Sequence, residues 1–89
     1  MISDAMKNAS HIKPVPVIAS FSSKGELVPL YTTINGVKLK IEQSFITREM
    51  HEWIHFTCFV VDNNIRKQIQ LMYKTSESVW FVPAKYFRN

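Results

Sequence analysis

The sequence predicts an all-β domain built as an antiparallel meander, and three observations carry that reading. First, Asn35-Gly36 separates two runs that alternate apolar and polar residues, Val28 to Ile34 and Val37 to Glu42. Asn and Gly both accept the positive φ that a two-residue type I′ hairpin turn requires. Second, Asp62-Asn63-Asn64 lies between two longer runs, Trp53 to Val61 and Ile65 to Tyr73, rich in the β-branched and aromatic residues that favour strands. Third, the turn at Ser23-Lys24-Gly25-Glu26 independently gives the same buried face as the Asn35-Gly36 turn. Local signals that agree across elements are what a well-specified fold shows.

Taken in order, residues 1–13 read as a flexible arm, polar and without an amphipathic stripe. Pro14 and Pro16 place the next segment at a sheet edge, since neither can donate to a ladder. A first strand is expected from Val15 to Ser22, with Val15, Val17, Ala19 and Phe21 facing the core. With Lys24-Gly25 as the central pair of the first turn, Ala19 lies opposite Leu30 and Phe21 opposite Val28. The Asn35-Gly36 turn pairs Ile34 with Val37, Thr32 with Leu39 and Leu30 with Ile41. It leaves Tyr31, Thr33, Lys38 and Lys40 on the other face.

A third strand runs from Val37 to about Thr47, with a bulge near Gln43-Ser44 where the alternation weakens. Arg48 to Glu52 is a connector, a wide loop or a single helical turn. For the next hairpin, Asn63-Asn64 as a two-residue turn sets Val60 opposite Lys67, Cys58 opposite Ile69, Phe56 opposite Leu71 and Ile54 opposite Tyr73. A three-residue turn would mix polar and apolar side chains on both faces, so the two-residue register is preferred. The turn Lys74 to Glu77 leads into a last strand, Ser78 to Pro83, with Trp80 beside Leu71 and Val82 beside Ile69. Residues 84–89 are a tail carrying Tyr86 and Phe87.

These six strands form one β domain over residues 14–83. A meander with one apolar face must roll up to bury it. The expected architecture is therefore a six-stranded antiparallel meander closing into a small SH3-like or related barrel or half-barrel, with a flat sheet that dimerises face to face as the alternative. An 89-residue chain buries roughly 60–65% of its unfolded surface, enough for one thin core and little more. Cys58 is the single cysteine, so no internal disulfide framework exists. No apolar run approaches the ~18 residues of a membrane helix, and the first residues lack the apolar core of a secretion signal. A cytoplasmic location is the expectation.

The functional reading follows from the register. If Ile54, Phe56, Cys58 and Val60 face inward, then Trp53, His55, Thr57, Phe59 and Val61 face outward, joined by Met72, Val79 and Phe81. That apolar, aromatic surface is rimmed by Arg66, Gln68 and Gln70. Exposed patches of this kind mark interfaces, here with a terminal segment, a second copy or a protein partner. A second patch combines Tyr31 with Lys38 and Lys40, and with Arg66 and Lys67 elsewhere on the surface. Rings between cations suit single-stranded nucleic acid, though alternating lysines also simply keep a sheet face soluble. The net charge of +4 permits an anionic partner without requiring one.

No chemistry emerges beside these surfaces. His55 and Cys58 are three apart on a strand and point to opposite faces, so they cannot share a metal, and no metal site is assigned. Cys58 reads as a core residue and not a nucleophile. Glu26, Glu42, Asp62 and Glu77 fall at turns or on the wet face. Two glycines cannot build a phosphate-cradling loop. No cofactor, small-molecule substrate or catalytic residue is expected.

Residues 15–47, with Pro16-Val17-Ile18-Ala19-Ser20-Phe21, Gly25 and Pro29-Leu30-Tyr31, and the later Val79-Trp80-Phe81 following Leu71-Met72-Tyr73, resemble short uncharacterised bacterial proteins made of one all-β domain. The resemblance implies a small-barrel fold and no activity. The expected function is thus a non-catalytic interaction module, self-associating or protein-binding, with a basic nucleic-acid-binding barrel as the alternative.

Overall fold

The computed structural model describes residues 11–87. They form seven strands: β1 (Ile12–Val15), β2 (Val17–Phe21), β3 (Leu27–Ile34), β4 (Val37–Met50), β5 (Trp53–Asp62), β6 (Ile65–Lys74) and β7 (Val79–Pro83). A 3-10 turn at Ala84–Tyr86 follows. All pairings are antiparallel, in the spatial order β1-β7-β6-β5-β4-β3-β2. The protein is all-β, a strongly curled half-barrel. The two edge strands are one continuous piece of chain. Pro16, which has no N–H to give, separates β1 on β7 from β2 on β3. Its carbonyl accepts from the Thr32 Oγ1 hydroxyl at 3.0 Å, tying this corner to β3.

The two asparagine turns form as the residue chemistry dictates. Asn35 and Gly36 both have positive φ, at 53° and 78°, and Ile34 pairs with Val37 and Thr32 with Leu39. Asn63 and Asn64 likewise sit at 53° and 64°, and the β5–β6 register is the expected one from Ile54–Tyr73 to Val60–Lys67. That register puts Phe56, Cys58 and Val60 with Ile69 and Leu71 in the core, completed by Val15, Ile34, Leu39, Ile41, Trp80 and Val82.

Several details differ, each for a local reason. Leu30 does not oppose Ile41, because β3 pairs with β4 only from Tyr31–Lys40 to Ile34–Val37. Leu30 is instead the extra residue where the β2–β3 register shifts between Ile18–Tyr31 and Ala19–Pro29. The bulge turns Leu30 outward, and Pro29 is buried in its stead. Downstream of it Phe21 pairs with Leu27 and is 69% exposed, so it is no part of the core. The first turn is centred on Ser23-Lys24, closed by Gly25 N–H to the Ser22 carbonyl at 2.8 Å, with Gly25 following at φ 81°. The Ser22 hydroxyl accepts from the Lys24 and Glu26 amides and stabilises it.

The connector expected at Arg48 to Glu52 is mostly strand. β4 runs on to Met50, and only His51-Glu52 turn. Two bulges hide this extension from any reading by alternation, one between Ile41 and Gln43 and one between Ile46 and Arg48. The final hairpin is offset by two residues from expectation: Trp80 opposes Tyr73, with Ser78 at φ 57° and the Lys74 carbonyl accepting from Ser78 N–H. An offset of two preserves the face, so Trp80 and Val82 remain buried. The first strand begins at Ile12, earlier than expected, and the single strand expected from Val15 to Ser22 is instead broken at Pro16 into β1 and β2; residues 1–10 of the expected arm lie outside the described residues.

The segment expected as a tail also has a structural task. Tyr86 and Phe87 pack on the core, and the Tyr86 hydroxyl accepts from the Gln70 backbone N–H at 2.9 Å. The Tyr86 carbonyl in turn accepts from the Asn35 side-chain amide at 2.8 Å. Residues 84–87 therefore link β6 to the β3–β4 turn across the mouth of the half-barrel.

Candidate interaction surface

The outer face of β4–β7 is organised by register into straight rows that cross the sheet. One row reads Arg48, His55, Met72, Phe81 and Pro14, from β4 across to β1. Its neighbour reads Met50, Trp53, Lys74 and Val79. On the other side come Phe45, Thr57 and Gln70, then Gln43, Phe59 and Gln68. All the residues expected at the protein interface, Trp53, His55, Phe59, Val61, Met72, Val79 and Phe81, therefore share one face. Most are half-buried by their own neighbours, while Val61 is exposed.

The rings pack edge to face. Trp53 lies 5.5 Å from Phe81 and 6.4 Å from His55, and Phe45 lies 6.2 Å from Phe59, centroid to centroid. Such contacts suit the ring quadrupoles. Cations cap the cluster: the Arg66 guanidinium stands 4.5 Å over Phe59 and the Lys74 ammonium 5.6 Å over Trp53. At exposed sites each such contact contributes about 0.5–1 kcal/mol. Arg66 also donates to the Gln43 side-chain oxygen. At the centre, Thr57 and Gln70 satisfy one another through a 3.2 Å hydrogen bond, so the patch carries no orphaned polar group there.

The basic patch is partly assembled. Tyr31 pairs with Lys40, and the Lys38 ammonium sits 4.8 Å over the Tyr31 ring. Arg66, opposite the outward Val61, belongs to the same outer face. Lys67 does not: it pairs opposite the inward Val60, is bound to Asp62 at 3.2 Å, and lines an open cleft of about 410 Å³ at the mouth of the half-barrel. Among the described residues the ion pairs are Lys67–Asp62 and Lys74–Glu77, which leaves Arg48 and Arg66 without a carboxylate partner.

Phe45, Met50, Arg48 and Lys74 extend this surface beyond the residues expected from sequence. The first three lie on the bulged half of β4, where a missing period-two signal concealed them. The dense β-formers Phe45-Ile46-Thr47 were the cue available.

The titratable groups here behave as structural side chains. Cys58 is fully buried, and burial pushes its thiol up to about 12. His55 is held below its ordinary value of 6.5, first by burial and then by the Arg48 guanidinium. A depressed native pKa makes the native state prefer neutral imidazole. The stability this contributes is complete above the unfolded value of 6.5 and is lost as pH falls through the native value. The urea midpoint of the wild type is therefore expected to fall between about pH 7.5 and about pH 5 by more than that of His55→Gln. Equal falls in both proteins would show that His55 contributes nothing to the pH dependence.

Among the described residues no three His, Cys, Asp or Glu side chains come together as metal ligands would, and no helix is long and apolar enough to cross a membrane. Comparison with protein-family models, curated sequences and solved structures finds no match to this chain, so it supplies no assignment of family or activity.

Proposed function

We propose that this chain is a non-catalytic protein-interaction module whose contact surface is the outer face of β5–β7, extended by Phe45 and Met50 of β4. The observation that carries the reading is one outer face bearing two aromatic clusters, Trp53–His55–Phe81 and Phe45–Phe59, on either side of the Thr57–Gln70 pair, which no other described element covers. Isolated surface apolar residues need no explanation, but rings clustered in this way on one face, with cations over them, do. Aromatic and arginine side chains are also the types that dominate binding energy at interfaces. With Arg48 and Arg66 unpaired by carboxylates among the described residues, the partner that fits is a protein surface with an apolar centre and acidic residues around it.

Single-stranded nucleic acid is the second reading, favoured by Tyr31, Lys38 and Lys40 lying on the same outer face as Arg66. It ranks lower because the ring faces of Phe59 and Trp53, which bases would stack on, carry Arg66 and Lys74.

The test uses the whole chain as bait, as wild type, Phe81→Glu and Arg66→Glu, each checked for wild-type circular dichroism. The expected result is a bound protein that the wild type retains and both variants lose, by at least about tenfold in affinity. Equal retention by all three would overturn the reading. Salt-sensitive retardation of a single-stranded oligonucleotide, with no protein retained, would move the assignment to nucleic acid.

A further inference from the structure

β4 is longer than the partner on its β3 side. β3 pairs with it only up to Lys40, whereas β5 accompanies it to Met50. From Glu42 to Met50, β4 therefore presents one edge with no strand beside it among the described residues. Proteins normally blunt such edges with proline, lysine, bulges or strand brevity. This segment, Glu42-Gln43-Ser44-Phe45-Ile46-Thr47-Arg48-Glu49-Met50, contains neither proline nor lysine, and its two bulges, at Glu42 and Thr47, flank a regular stretch from Gln43 to Ile46. It also exposes apolar side chains on both faces, Phe45 at 51% and Ile46 at 52%.

The edge is self-complementary. A two-fold axis through Phe45, perpendicular to the sheet, lays a second copy antiparallel against the first. Phe45 then opposes Phe45, Ser44 opposes Ile46 and Gln43 opposes Thr47. Glu42 opposes Arg48, twice by symmetry. Moving the axis midway between Phe45 and Ile46 instead sets Glu42 against Glu49, so charge selects the register centred on Phe45. Both Glu42 and Arg48 are exposed and neither is in an ion pair within the described chain.

We propose that the β4 edge from Glu42 to Arg48 pairs antiparallel with the same edge of a second copy, about a two-fold axis at Phe45, to give one continuous sheet. Backbone hydrogen bonds supply the attraction and the Glu42–Arg48 pairs fix the alignment. An axis normal to the sheet keeps both outer faces on the same side, so the dimer presents two aromatic surfaces side by side. This site overlaps the protein-binding surface proposed above at Phe45, Arg48 and Met50, and the two readings are told apart at Phe81. Phe81 lies beyond β5 and β6 from the edge, so Phe81→Glu is expected to leave pairing intact, and the two proposals fail independently.

The experiment combines cross-linking with charge exchange on the full chain. Phe45→Cys is expected to form a reducible dimer on mild oxidation, while Ile65→Cys, comparably exposed at 59% but at the start of β6 beside the Asn63-Asn64 turn, stays monomeric. The native thiol of Cys58 is fully buried and does not compete. In sedimentation equilibrium, Glu42→Arg and Arg48→Glu are each expected to weaken the wild-type dimer about tenfold, and the double exchange to restore it. A monomeric wild type with Phe45→Cys cross-linking no faster than Ile65→Cys would overturn the proposal. Dimers that the double exchange fails to restore would overturn the register centred on Phe45.

Discussion

Phe56→Ala is expected to remove about 3–5 kcal/mol of stability, the range for deleting a fully buried phenyl ring. Phe56 is 1% exposed, pairs with Leu71 of β6 and Ile46 of β4, and lies 5.4 Å from the Trp80 ring. It thus joins the middle of the sheet to its curled-over end. A single curled sheet, only 19 Å across its shortest dimension, has no second layer to collapse into the hole. Domains of this size have about 5–15 kcal/mol in total, so this one substitution removes a large fraction of the stability. Urea denaturation followed by far-ultraviolet circular dichroism measures it. A loss under about 1 kcal/mol would mean that the core does not centre on Phe56.

Trp80→Ala is expected to cost a similar amount, about 3–5 kcal/mol, but to act on a different part of the molecule. Trp80 stacks at 4.8 Å on Tyr73 of β6 and pairs with Val15 of β1. Losing the indole removes the apolar contact that holds β1 against β7. Amide exchange at Lys13 and Val15 should therefore accelerate more than exchange in the β5–β6 hairpin, which has its own asparagine turn and ladder. Uniform acceleration across both regions would show that β1 and the hairpins open as one unit.

The parts of this fold that were legible in the sequence are those fixed by local chemistry. Asn35-Gly36 and Asn63-Asn64 need positive φ, and each turn sets one register and hence one buried face. That was enough to place Phe56, Cys58, Val60, Ile69 and Leu71 in the core, and Trp53, His55, Phe59 and Phe81 on the opposite face. Bulges defeat this logic, because one extra residue exchanges the faces from there on. Leu30 is such a residue: it exchanges the faces of β3, so Pro29 is buried in its stead, while Phe21, on the unbroken β2, is exposed at the end of its strand. Two more in β4 disguised a strand as a connector and hid Phe45, Arg48 and Met50 from the surface. The pairing of β1 with β7 was invisible for another reason: contacts so distant along the chain leave no mark in any short window. Tyr86 belongs to the same class, its hydroxyl meeting Gln70 through three-dimensional closure alone.

The corner at Pro16 also orders the folding reaction. Every pairing from β2 to β7 joins sequence neighbours through a turn, so each hairpin closes a short loop at small entropic cost. β1 is the exception: Ile12 must find Pro83 after nearly the whole described chain has been traversed. Because β1 is joined directly to β2, it is already held at one end once the first hairpin zips. The search left to it is that of a tethered clasp, which lets the meander gain its one distant strand pairing late and without a separate nucleation step.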